Sequence, residues 1–101
     1  MSTDTVVEQK KLVSNKLRKP GRFKVIVCND DVTTVDFVVA LLMTIFNHSA
    51  ESAVELTQLI HDNGSAVAGV YTYEIAEQKS LDGINLARVN GFPLILRVSP
   101  E

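Results

Sequence analysis

The spacing of apolar residues changes period along this chain, and each change marks an element. Phe23 to Cys28, FKVIVC, holds three consecutive β-branched residues in a short apolar run, the pattern of a strand covered on one face and partly on the other. The run stops at Asn29, Asp30 and Asp31. Beyond that corner Val35, Val38, Leu42, Ile45 and Phe46 recur at helical spacing. Thr33 or Thr34 caps this helix by supplying an acceptor to its first free amides, and Asp36 complements the helix dipole. Asn47-His48-Ser49 breaks the pattern, and Ser49 caps a second helix through Ala53, Leu56, Ile60 and His61. Asn63-Gly64 ends it, because glycine readily takes the left-handed conformation just past a helix.

Ser65 to Tyr71 is short, small and β-compatible, which predicts a second strand with Gly69 at a close backbone approach. Thr72 opens a third helix that runs to about Val89 despite Gly83, a residue costing roughly 1 kcal/mol relative to alanine. Asn90-Gly91 closes that helix. Phe92 to Val98 predicts a last strand, with Pro93 near its start, where a missing amide does little harm. The order β-α-α-β-α-β predicts an α+β fold, a small antiparallel three-stranded sheet with three helices packed on it. Residues 1–20 lack sustained periodicity and are rich in polar and charged residues, which predicts a flexible N-terminal extension. Pro20-Gly21 marks its junction with a single domain over residues 21–101.

A chain of 101 residues, 46% hydrophobic, has material for one core. Charge is unevenly spread along it. Residues 1–24 carry seven basic and two acidic side chains, a balance of +5, whereas residues 25–101 balance at −7. An acidic body repels a phosphate backbone, so the domain is excluded as a nucleic-acid binder. The basic leader has no aromatic residue to stack on a base and reads as a solvated segment. The single cysteine, Cys28, has no internal partner and suits a reducing compartment. No signal-like apolar block and no membrane-length apolar run occurs. The expected setting is therefore cytoplasmic, and nothing in the pattern calls for more than a monomer.

No Gly-rich phosphate loop, CxxC pair, HExxH or GxSxG is present, and the only histidines are His48 and His61. Asp30 and Asp31 are no catalytic dyad, since adjacent residues in extended chain point to opposite sides. With His61 they form too sparse a set for a metal centre. The corner then has two readings. One is an Asx-type turn that serves only to start the helix. The other is a cation site with an apolar neighbour: an ammonium has donors only, and Asn29, Asp30 and His61 offer carbonyl, carboxylate and imidazole acceptors. The negative end of the second helix lies nearby, and Val35, Val38, Ile60 and Leu94 would line an apolar hole beside them.

From Lys19 onward the chain resembles ClpS, the small adaptor family that recognises N-degrons and delivers them to an AAA+ Clp unfoldase and its peptidase. The residues that carry the likeness are Asn29-Asp30-Asp31 with Thr33, Phe37-Val38, His61 and Gly64. Ala68-Gly69-Val70-Tyr71-Thr72, Glu74, Ala76-Glu77, Lys79, Ala87-Arg88 and Pro93-Leu94 extend it. The resemblance implies a non-enzymatic protein without cofactor or metal. It implies α-amino-group recognition at Asn29, Asp30 and His61, with Asp31 facing the peptide backbone. It places a side-chain pocket at Thr33, Val35, Val38, Thr57, Ile60 and Leu94, and a contact with the N-terminal domain of a ClpA- or ClpC-type unfoldase at Glu74 and Lys79. Substrates would carry N-terminal Phe, Tyr, Trp or Leu, and the host would be a bacterium, or the stroma if a plastid. Where the family usually has methionine, this chain has Val35 and Thr57, which implies a differently shaped gate and an altered preference among those residues. A docking module for the unfoldase that reads no N-terminus is the alternative.

Overall fold

A computed structural model describes residues 21–101; the predicted extension over residues 1–20 lies outside them. The elements follow as β1 (Phe23–Cys28), α1 (Val35–Thr44), α2 (Ala50–Asn63), β2 (Ser65–Tyr71), α3 (Tyr73–Val89) and β3 (Ile95–Pro100). The fold is α+β: three antiparallel strands in the order β2-β1-β3, with three helices packed on the sheet. Burial alternates along β1, so Phe23, Val25 and Val27 point into the core while Lys24, Ile26 and Cys28 lie half-buried on the opposite face. That alternation follows from the period of two in a pleated strand. Leu41 and Leu42 of α1, with Val25, Val27 and Leu94, are the largest fully buried side chains.

Local chemistry sets most of the boundaries. Of the two threonines that could cap α1, Thr34 does so, its hydroxyl accepting from the Phe37 amide at 3.2 Å. Ser49 caps α2 by accepting from the Ser52 amide at 3.1 Å. At the other end Gly64 sits at φ 89°, and its amide donates to the Ile60 carbonyl at 2.9 Å. Thr72 has the extended backbone of a cap, but its hydroxyl makes no capping bond.

Two details depend on distant parts of the chain. A bulge opposite Val25 and Ile26 leaves Ala68 unpaired in β2, and His48 Nε2 lies 2.7 Å from the Ala68 carbonyl. The second is the face that α3 turns to the sheet, built of Ala76, Ser80, Gly83 and Ala87, all buried. A Cβ on Gly83 would stand 2.7 Å from Cδ2 of Leu96, so the glycine is where helix and β3 come closest.

The last strand begins at Ile95, three residues later than the apolar run from Phe92 predicts, and extends to Pro100. The reason is Arg88. Its guanidinium donates to the carbonyls of Phe92 at 2.8 Å and Leu94 at 2.9 Å, and Pro93 has no amide to offer a ladder. Sheet pairing starts only where Ile95 meets Cys28, the last residue of β1.

Candidate functional site

The end of β1 and the end of α2 are tied together, and the candidate site forms in the angle between them. The Asn29 amide donates to the Gly64 carbonyl at 2.8 Å, which fixes the corner against the helix terminus. Asp30 then folds the chain back on itself. Its Oδ1 accepts from the amides of Val32 at 2.8 Å and Thr33 at 2.7 Å, and its Oδ2 accepts from the Thr33 hydroxyl at 2.7 Å. Burial pushes the Asp30 carboxyl up, but the Thr33 amide and hydroxyl, the Val32 amide and the Arg88 guanidinium outweigh it and hold the group below its ordinary value. It is a fixed anion at neutral pH.

His61 stands exposed in the last turn of α2, one turn before Gly64. Helix carbonyls there carry partial negative charge. Asn29, Asp30, Asp31 and His61 all line one cavity of about 440 Å³, together with Thr33, Val35 and Val38 on one side and Thr57 and Ile60 on the other. Val38, Thr57 and Ile60 are buried and form its floor, whereas Val35 is 61% exposed at its edge. Thr57, 6% exposed, donates its hydroxyl to the Ala53 carbonyl at 2.7 Å, so its hydrogen is committed to its own helix and its remaining polarity is an acceptor. Polar acceptors at the mouth and an apolar floor suit a ligand that pairs a donor-rich cationic head with an apolar group.

Ten of the residues singled out from the sequence were assigned to this site, and nine of them line the cavity. Leu94, 1% exposed, packs in the core just before β3 and does not line it. Val32 and Thr34 also face the cavity, which composition gives no means of anticipating because Val32 belongs to the turn that Asp30 closes and Thr34 is occupied as the cap of α1. On α3, Glu74 is exposed in the first turn. Lys79 is half-buried: its Nζ donates to the Ile45 carbonyl at 2.8 Å and lies 5.3 Å from the Tyr71 ring centroid. Among the described residues no group of three or more His, Cys, Asp or Glu is placed to hold a metal, and no helix is long and apolar enough to cross a membrane.

Comparison with known proteins gives one consistent result. The family model for the ATP-dependent Clp protease adaptor protein ClpS matches residues 18–97. A ClpS adapter protein of Campylobacter jejuni (strain 81-176) is 46% identical over 90 residues, covering 89% of this chain and 94% of the relative. That of Clostridium acetobutylicum is 42% identical over 96 residues, covering 95% of each. Among solved structures, Agrobacterium tumefaciens ClpS2 bound to L-phenylalaninamide matches with a TM-score of 0.79 at 35% identity, over 82% of this chain and all of that one. With a family model spanning most of the domain and relatives above 40% identity along nearly their whole length, the chain belongs to the ClpS family, adaptors of the ATP-dependent Clp protease and not enzymes.

Proposed function

We propose that this adaptor binds the free α-amino group and bulky hydrophobic side chain of N-terminal residues, and presents the proteins that carry them to a Clp AAA+ unfoldase. The observation that carries this is the cavity, whose mouth holds Asn29, Asp30 and His61 and whose floor is Val38, Thr57 and Ile60. The ligand of the related ClpS2, L-phenylalaninamide, has the same two parts, an ammonium and an apolar side chain. Asp31, exposed beside them, is assigned to the peptide backbone beyond residue one. Burying a leucine or phenylalanine side chain is worth roughly 1.5–3 kcal/mol, and each charge-assisted bond to an ammonium about 1.5–3 kcal/mol. After the costs of association these values correspond to roughly micromolar binding.

Val35 and Thr57 set the specificity. Both are shorter than the methionines usual in the family, so the gate differs in shape and the ranking of Phe, Tyr, Trp and Leu differs with it. Glu74 and Lys79 are assigned to the N-terminal domain of a ClpA- or ClpC-type unfoldase. Lys79 acts there through a surface it helps to hold together, since its ammonium is already engaged by Ile45 and Tyr71.

The second reading, docking to the unfoldase without N-terminal recognition, draws on one observation: three donors of the chain itself already occupy the Asp30 carboxylate. Fluorescent peptides that differ only at residue one (Phe, Tyr, Trp, Leu, Ile, Val, Lys), each with a free and an acetylated amino group, separate the two. Binding of Phe or Leu peptides that acetylation and His61→Ala both abolish supports recognition. Retention of the unfoldase N-domain by wild type and His61→Ala alike, with no peptide bound by either, supports docking alone.

A further inference from the structure

A second concavity lies outside the ammonium-site cavity, a groove between the outer faces of α1 and α2. Asp36, Val39, Ala40 and Met43 line it from α1, and Val54 and Gln58 from α2. Val54 is 55% exposed and Met43 is 41% exposed, so the groove presents apolar surface to solvent. Val35, Thr57 and His61 line the groove and the cavity alike. The groove therefore lies behind the cavity, against the back of its floor and away from its mouth.

The edge of the groove is acidic. Asp36 lines it directly, Asp62 accepts from the Gln58 side-chain amide at 3.0 Å, and Glu51 and Glu55 share the solvent side of α2 with Val54 and Gln58 by helical spacing. Among the described residues no lysine or arginine lines the groove, so two such faces brought together would repel. The occupant that fits is apolar and basic. One such segment belongs to the chain itself: residues 10–19, KKLVSNKLRK, carry five basic side chains and none acidic, around Leu12, Val13 and Leu17. Its point of attachment also fits. Phe23, at the start of the domain, pairs with Tyr71, and the Tyr71 ring centroid is 6.4 Å from that of Phe46, just past the end of α1. The segment thus joins the domain at the end where α1 finishes and Met43 lies. Ten extended residues span up to about 33 Å, whereas the 10 residues of α1 rise about 15 Å.

We propose that residues 10–19 dock in the α1–α2 groove of their own chain, with Leu12, Val13 and Leu17 on Val39, Met43 and Val54 and the lysines along the acidic edge. Tethering to β1 gives the segment an effective concentration on the order of millimolar, so weak contacts suffice to fill the groove. The consequence for the site follows from the shared wall. A side chain seated behind Val35 and Thr57 backs two positions that are short in this chain, and stiffens the floor on which residue one rests. This consequence, unlike the docking itself, rests on the N-terminal recognition proposed above.

The test uses the full-length protein with a nitroxide attached through Ser14→Cys, the native thiol having been removed by Cys28→Ser. Paramagnetic broadening should concentrate on the amide signals of Val39, Met43, Val54 and Gln58 and fade with added salt, because the charges at the edge are exposed. Lys11→Glu with Lys16→Glu, changes outside the described domain, should abolish it, as should Val54→Lys at an exposed position. No broadening at the groove, or broadening spread evenly over the surface, overturns the proposal. Isotope-labelled protein mixed with unlabelled, nitroxide-bearing protein reports contact between copies; groove signals broadened as strongly there as within one chain assign the groove to another copy's segment and overturn the proposal as well. Phe-initiated peptides then read the effect on the cavity, and Lys11→Glu with Lys16→Glu should weaken their binding about two- to fivefold. Unchanged affinity, with the broadening present in the chain that keeps both lysines, overturns the bracing of the floor and leaves the docking standing. Failure of every free-amine peptide to bind overturns N-terminal recognition, and the docking still stands or falls by the broadening.

Discussion

Asp30 has two roles assigned to it, and a pair of substitutions pulls them apart. Asp30→Ala removes the acceptor for the Val32 amide, the Thr33 amide and the Thr33 hydroxyl. Val32 is exposed and Thr33 half-buried, so the freed donors find water, and the loss resembles that of a helix cap, about 1–2 kcal/mol. Asp30→Asn keeps an oxygen for the two amides, and the Thr33 hydroxyl can turn to accept from the new amide group. Its cost to the fold should stay below about 1 kcal/mol. The charge, however, is gone. An ammonium at the cavity mouth then exchanges a charge-assisted bond for a neutral one, a difference of about 1–2 kcal/mol or roughly 5–30-fold in affinity. Urea unfolding and anisotropy with a Phe-initiated peptide, measured side by side, read the two effects separately. An Asn variant that binds as wild type would show that the carboxylate only builds the corner. The pH dependence carries the same information. A carboxyl held below its ordinary 3.8 in the fold contributes stability above that value, and the contribution is lost as pH falls through the lower folded value. The stability gap between wild type and Asp30→Asn should therefore narrow in acid.

Three further substitutions test the packing around the site. His48 bridges the Ala68 carbonyl at 2.7 Å and the Ser52 hydroxyl at 3.0 Å; a carbonyl only accepts, so Nε2 carries a proton and donates it, while Nδ1 pairs with the Ser52 hydroxyl. His48→Ala should cost about 1–2 kcal/mol, seen as a drop in Tm, and an unchanged Tm would show that the bulge at Ala68 is satisfied otherwise. Gly83→Ala gains roughly 1 kcal/mol of helix propensity but drives a methyl against buried Leu96, at about 1–3 kcal/mol; calorimetry should find no stabilisation, and a gain of the full propensity would refute the close approach. Lys79→Met loses the bond to Ile45 and the contact with Tyr71, about 1–2 kcal/mol together. It should lower stability even without the unfoldase, and chemical denaturation of the adaptor alone decides that.

What the sequence shows of this fold is what neighbouring residues decide among themselves. Ser49 and Gly64 bound α2 through bonds to residues three or four away, and the same holds for Thr34 at α1. The start of β3 is different in kind. Phe92 is apolar and precedes an apolar run, and the reach of Arg88 to two carbonyls, with the missing amide of Pro93, removes that stretch from the sheet. Gly83 likewise reads as a local cost until Leu96 is found against it. Leu94 and Lys79 show the same limit for function. Leucine immediately before a strand gives no sign whether it faces a cavity or the core, and an exposed-looking lysine gives no sign that a carbonyl from another helix has claimed it. Met43 and Val54 show the same limit at the surface: both sit in apolar helical patterns, and only the relative placement of α1 and α2 leaves them exposed.

The corner at Asn29-Asp30-Asp31 is where local and functional readings meet, and they do not exclude each other. A carboxylate offers about four lone-pair positions, and the Val32 amide, the Thr33 amide and the Thr33 hydroxyl use three. One position remains, together with the full negative charge. A group held by three bonds cannot swing toward an arriving ammonium, so little ordering is left to oppose binding. The Asn29 amide bond to Gly64 fixes the opposite wall in the same way, setting the residues before Asp30 against the helix end that carries His61. The turn that starts α1 is therefore also the device that aims the carboxylate. Thr33→Val removes the hydroxyl bond to Oδ2 while leaving the two amide bonds to Oδ1 in place; it loosens the aim of the carboxylate and should weaken peptide binding even though the charge is still there.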